Sequence, residues 1–133
     1  MGYERILLDM EVQKDFFCRV GRFYSKANGQ VLKHIKELLS WAKGQPVPVV
    51  STMLRVYRSA SGLHYPPYCI EGTEGELRVP RTTLSNYIAF GTRRTTDLPE
   101  SILDHYRQVL FEKRELSILS NLRIERLLTQ LAG

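Results

Sequence analysis

With 133 residues, 43% of them hydrophobic and 25% charged, the chain has the make-up of one globular domain built around a single core. No stretch approaches the roughly 18 continuous apolar residues of a membrane helix, and no apolar segment follows a basic flank at the N-terminus, so neither a membrane partner nor a secretory signal is expected. Part of the net charge of +5 lies between Arg78 and Arg114, with Arg81, Arg93, Arg94, Arg107 and Lys113. Tyr65, Tyr68 and Tyr87 fall in or near this region without the spacing of a recognition module, which argues against nucleic acid as a partner.

The first element is strand-like. Within Arg5–Phe17, the apolar run Ile6 to Leu8 leads into Asp9, Glu11, Gln13 and then Asp15-Phe16. Residues two apart on a strand share a face, so Asp9, Glu11 and Gln13 are expected to project the same way. Chemistry in open α/β sheets collects beyond the carboxyl ends of the strands, which makes a carboxylate here a candidate base. The competing explanation is a solvated strand end. Cys18 to Lys26, rich in small and basic residues, reads as a loop. Asn28 is then a plausible N-cap for a helix through about Lys43, with Val31, Leu32, Ile35, Leu38, Leu39 and Ala42 on its buried face. Gly44 and Pro46 stop this helix, and Val47 to Thr52 follows as a short strand. Strand, helix and strand with short connections imply a right-handed parallel crossover.

From Leu54 to Asp97 the pattern is irregular. Pro66-Pro67, Gly72, Gly75 and Pro80 predict long loops, the place where a binding rim would form. Asp97-Leu-Pro-Glu100 has the form of a capping box and predicts a short helix through roughly Tyr106. Gln108 to Glu112, with Val109, Leu110 and Phe111, reads as a third core strand with Lys113 at its end. A last helix from about Asn121 places Ile124, Leu127, Leu128 and Leu131 on one face. Two strands therefore end in opposite charges, Glu11 (or Asp9) and Lys113. If these strands are neighbours, the groups meet at the carboxyl edge as a catalytic pair. The remaining special residues have ordinary explanations. His34 reads as solvent-facing among lysines, His105 as a helix-end residue, and Trp41 as a packing residue.

Three segments, in order, resemble the isochorismatase-like cysteine hydrolases, which include nicotinamidases and related amidases. Glu11-Val-Gln13-Lys-Asp15-Phe16 is similar to that family's Asp-x-Gln-x-Asp-Phe motif at the end of the first strand. Cys69-Ile-Glu-Gly72-Thr73-Glu-Gly75-Glu-Leu77 resembles its Cys-x-x-Gly-Thr-x-Gly loop, and Lys113 matches its active-site lysine. The resemblance implies a three-layer α/β/α fold with a mainly parallel sheet, Rossmann-like, here lacking the family's last strands and helices. It also implies a single domain over residues 1–133, truncated at the C-terminus.

The activity implied is hydrolysis of a small amide or related carbonyl compound through an acyl-enzyme. An aspartate, a lysine and a cysteine form the family's triad, the carboxylate as base and the lysine as the cationic field that favours the thiolate. Here Glu11 stands where the family has aspartate, with Asp9 as the fallback base, and the residue corresponding to the nucleophile is not in the chain. Cys69 matches a loop cysteine other than the nucleophile, and Cys18 follows Phe17 near the expected site mouth. Either thiol is most simply a small apolar filler. The family's metal-binding members carry a histidine just before the Gly-Thr loop. Residue 68 is Tyr and the nearby histidine is His64, so no metal and no other cofactor is expected. The absent strands would leave apolar edge uncovered, which predicts a homo-oligomer, or else a non-catalytic interaction domain that keeps the hydrolase fold. Two cysteines without C-x-x-C spacing point to reduced thiols in the cytoplasm.

Overall fold

The structure is a computed structural model, and it describes residues 3–58 and 67–132. His64, Tyr65 and Pro66 lie outside the described residues. In chain order the elements are β1 (Leu7–Met10), α1 (Lys14–Phe17), α2 (Lys26–Lys43), β2 (Val49–Leu54), β3 (Tyr87–Phe90), α3 (Ile102–His105), β4 (Gln108–Lys113) and α4 (Leu122–Ala132). The four strands form one parallel sheet in the order β1-β2-β4-β3. β2 and β4 are central, pair over six residues from Val49↔Gln108 to Leu54↔Lys113, and are buried at almost every position. That is why both read in the sequence as unbroken apolar runs and not as alternating ones.

Alternate residues of these strands feed two layers of helix. Val50, Val109 and Phe111 pack with Ile102 and Leu103 of α3 and Ile124 and Leu127 of α4. On the other face Val49 packs with Leu39 and Ala42 of α2. The result is the expected α/β/α layering, with a sheet that is wholly parallel.

Several local expectations change. β3 falls inside the stretch read as loop. It is four residues long, lies at an edge and alternates exposed and half-buried positions, so it lacks the apolar run that marks a central strand. The N-cap of α2 is Ser25, whose hydroxyl accepts from the Asn28 backbone N–H, and the helix begins at Lys26. The Asn28 side chain instead donates to the Phe16 and Phe23 carbonyls, tying the helix start to the preceding loop. At the other end, Gly44 keeps a right-handed backbone. It caps the helix as expected, its N–H on the Trp41 carbonyl at 3.1 Å, and Arg107 adds to the closure, its guanidinium donating to the carbonyls of Ala42, Lys43 and Gln45 at 2.6–3.1 Å, where a cation also suits the helix dipole. The capping box at Asp97 does not form. Ser101 takes a left-handed φ of 56° and α3 starts only at Ile102.

The buried stripe of α2 is narrower than its apolar stripe. Leu39 and Ala42 are buried and Leu32 and Ile35 half-buried, whereas Val31, Leu38 and Trp41 are exposed. No helix among the described residues is long and apolar enough to cross a membrane. Removing the Ser25 cap with Ser25→Ala should lower unfolding free energy by about 1 kcal/mol in urea titrations, with the m-value unchanged.

Candidate functional site

The carboxyl ends of β1, β2 and β4 bring one carboxylate, one hydroxyl and one ammonium together. Lys113, the last residue of β4, is wholly buried in its side chain. Its Nζ donates to Glu11 Oε1 at 2.7 Å and to the Leu116 carbonyl at 2.7 Å. The second oxygen of Glu11 accepts from the Thr52 hydroxyl on β2, and the Glu11 backbone N–H bonds to the Thr52 carbonyl at 3.0 Å. With both oxygens engaged, the carboxylate is held in one orientation between two strands.

Glu11 reaches this position through an unusual backbone. Its φ is +50°, in the left-handed region that a non-glycine residue enters at a cost. The consequence is visible in the register. Asp9 pairs with Ser51 and Met10 with Thr52, and successive residues of β2 project to opposite faces. Asp9 meets the Ser51 hydroxyl while Glu11 meets that of Thr52. The two carboxylates therefore serve opposite faces of the sheet, contrary to the alternation expected from an unbroken strand. Asp9, the fallback base, is bound instead by Arg78 at 3.0 Å and by Ser51, which in turn accepts from Gln108 at 2.8 Å. This second network ties the segment carrying Arg78 and Thr82 across the sheet, since the Arg78 guanidinium also donates to the Thr82 carbonyl.

The rest of the first motif braces the site. The Gln13 side-chain amide donates to the carbonyls of Leu54 and Glu76 and accepts from the Leu54 N–H, all within 2.7–2.8 Å. It thereby locks the end of β2 to the loop beyond it. The buried Asp15 accepts from the backbone N–H groups of Arg22 and Cys69. Phe16 packs edge-on against Tyr68, their ring centroids 5.0 Å apart. In the Gly-Thr loop the two glycines have separate reasons. Gly72 has a φ of +76°, and a Cβ on Gly75 would lie 2.2 Å from the Asp15 carboxylate.

Neither cysteine is set up as a nucleophile by these contacts. Cys69 has no exposed surface, and burial, helped by the Asp15, Glu11 and Glu76 carboxylates, pushes its thiol up to about 12. It stays protonated near neutrality. Cys18 closes α1, is half-buried, and has no hydrogen bond to Glu11 or Lys113. His34 is exposed on α2 beside Glu37, and His105 ends α3 in an exposed position. Among the described residues no group of three or more His, Cys, Asp or Glu is arranged to hold a metal ion, and His64 lies outside them.

Thr52, Ser51 and Arg78 were not singled out from the sequence. A Ser-Thr pair inside the otherwise apolar strand Val49–Leu54 was the available signal, because polar side chains at buried strand positions require partners.

No family model and no curated protein matches the chain. Its fold, however, is that of solved amidase structures. It is similar to the nicotinamidase PncA from Bacillus subtilis at 18% identity and a TM-score of 0.61, covering 97% of this chain and 67% of that one. It is also similar to the pyrazinamidase of Pyrococcus horikoshii in complex with zinc, at 19% identity and a TM-score of 0.52, covering 86% of this chain. The chain spans 55% of the length of that pyrazinamidase.

Two measurements check this geometry. Glu11→Gln leaves the Lys113 ammonium buried without its carboxylate, and should cost about 3–5 kcal/mol of stability. Adding Lys113→Met should restore most of the loss, and a Glu11→Gln cost below about 1 kcal/mol would contradict the pair. The raised Cys69 pKa also has a sign. The thiol ionises more readily in the unfolded chain than in the folded one, so its contribution to stability is intact below the ordinary thiol pKa. That contribution is lost as pH rises toward about 12. Cys69→Ala should flatten this alkaline decline, and iodoacetamide near pH 8 should modify Cys18 but reach Cys69 only after denaturation.

Proposed function

We propose that the chain carries the base and the cation of an isochorismatase-like cysteine hydrolase acting on a small amide or related carbonyl compound. What carries the reading is the 2.7 Å pair between Glu11 and Lys113, set at the carboxyl edge of a parallel sheet whose fold matches amidases. In this cycle Glu11 takes the proton of a thiol, and the Lys113 ammonium favours the resulting thiolate. The thiolate attacks the carbonyl carbon, the C–N bond breaks, and the amine leaves with the proton returned by Glu11. Water, deprotonated by Glu11, then cleaves the thioester, releasing the acid and regenerating the thiol.

The nucleophilic thiol comes from outside these residues, because Cys69 is sealed as a thiol and Cys18 is unpartnered by the site. No metal or other cofactor enters the cycle. The same reading treats the chain as a single domain within a homo-oligomer, in the cytoplasm, where both free thiols stay reduced.

A second reading, a non-catalytic interaction domain with the hydrolase fold, is favoured by two observations. The buried Cys69 thiol is protonated, and the β1 edge exposes Leu8 and Met10. Ammonia release from nicotinamide, pyrazinamide and a panel of small amides, together with acid release from esters, separates the two. Measured in a protein that also supplies the nucleophilic thiol, the hydrolase reading expects turnover that iodoacetamide blocks and that Glu11→Gln or Lys113→Met lowers on the order of 100-fold. Turnover indifferent to both substitutions overturns the assigned roles, and no turnover across the panel leaves the interaction domain.

A further inference from the structure

Arg78, Arg107 and Lys113 are engaged in contacts inside the fold. Arg81 is exposed, and its backbone is unusual for so large a residue. Its φ is +68°, directly after Pro80 in the turn over residues 79–82. A proline followed by a left-handed residue is the pattern of a type II turn, whose second central position normally holds glycine or asparagine. An arginine there is disfavoured by its own backbone. Neighbouring contacts hold the turn in place. The Arg78 guanidinium donates to the Thr82 carbonyl at 2.8 Å, the Thr82 hydroxyl to the Val79 carbonyl at 2.6 Å, and the Leu84 N–H to the Gln108 side chain at 2.6 Å.

Arg81 lines a cleft of about 420 Å³ between this segment and α2. The helix contributes Lys36, Ser40 and Lys43, and the segment contributes Thr83 and Ser85. Leu39 and Leu84, which pack in one core cluster, are its apolar lining. Ile35 and Leu38 turn from α2 toward β1, and the cleft lies on the other flank, bounded within residues 36–85.

Three cations and three hydroxyls share this cleft, and no carboxylate lines it. The acidic residue of α2, Glu37, pairs with His34 at 3.5 Å, and residues 78–86 include no acidic side chain. At the end of the helix the Arg107 guanidinium covers the Ala42 and Lys43 carbonyls, so the negative end of the helix dipole is offset there. Positive charge grouped in this way favours an anion.

We propose that the cleft binds a small organic phosphate. Lys36, Lys43 and Arg81 hold its phosphate or diphosphate group, Ser40, Thr83 and Ser85 add hydroxyl bonds, and Leu39 and Leu84 take a compact apolar body. Arginine and lysine in a carboxylate-free setting match phosphate oxygens, and the volume lies within the range of small-molecule sites. The anchored turn and the helix present these groups with little further ordering on binding. The site stands apart from the reading of Glu11 and Lys113 as a hydrolytic pair and does not depend on it.

Isothermal titration calorimetry of the whole chain with pyrophosphate, ADP and adenosine tests the proposal. Pyrophosphate and ADP should each saturate a single site, ADP more tightly, and adenosine should not bind. Arg81→Asn suits the left-handed turn, so it should keep or raise the melting temperature while raising the ADP dissociation constant at least about 10-fold. Lys36→Gln should weaken ADP similarly, whereas Lys26→Gln, on the same helix outside the cleft, should leave the constant as it is. Failure of both pyrophosphate and ADP to saturate overturns the site, as does ADP binding that neither Arg81→Asn nor Lys36→Gln weakens. Equal affinities for the two overturn the apolar half of the proposal. A single-stranded DNA of about 20 nucleotides that binds more tightly than ADP, and loses as much from Lys26→Gln as from Arg81→Asn, replaces the cleft with a diffuse polyanion surface. Should Arg81→Asn lose its fold, the exposed helix position Lys36→Gln decides.

Discussion

A lysine side chain with no solvent contact is the constraint around which this molecule is arranged. Removing an ammonium from water costs several kcal/mol even after relaxation, and the cost is met only by well-placed partners. Lys113 has a carboxylate and a carbonyl, each at 2.7 Å. The carboxylate belongs to a strand that is not its neighbour, since β2 lies between β1 and β4. Glu11 must therefore leave the plane of its own strand to cross β2. The left-handed backbone at Glu11 and the hydroxyl of Thr52 are the means by which it does so.

The bracing around this pair follows from the same need. A strained residue at a strand end persists only if its surroundings over-determine it. Two residues on, Gln13 is fully buried and spends its amide on the end of β2 and on the Glu76 carbonyl. Two further on, Asp15 gathers the amides of Arg22 and Cys69. One short acidic segment thus holds β2, the loop before α2 and the Gly-Thr loop in a common frame. Pre-organisation of this kind is what a positioned base requires. It is equally what a buried charge requires.

The opposite face tells a complementary story. Asp9, Ser51, Gln108, Arg78 and Thr82 form a buried polar chain with no ammonium at its centre, and it fastens a loop to the sheet. Carboxylates two residues apart in sequence are thereby divided between two tasks. Beside them β1 is the edge strand of the sheet among the described residues, and Val31, Leu38 and Trp41 of α2 are exposed.

Much of this was legible in the residues themselves. The apolar runs of β2 and β4, the amphipathic stretches of α2 and α4, and the placing of Glu11 and Lys113 at strand ends are local patterns, and local patterns survive into the fold because each reports which face must be buried. The resemblance of the three motifs to an amidase family agreed with the fold that the structure has. What the sequence could not convey depended on contacts between distant segments. β3 is a strand only because β4 offers it an edge. α2 ends at its own glycine, Gly44, as expected, but Arg107, 62 to 65 residues away, also binds its last carbonyls. Above all, alternation along a strand predicts one face for Asp9 and Glu11, and a single left-handed residue overrules it. That conformation costs energy locally and is favoured by contacts from across the sheet, the buried ammonium among them, so only the tertiary structure decides which carboxylate meets Lys113.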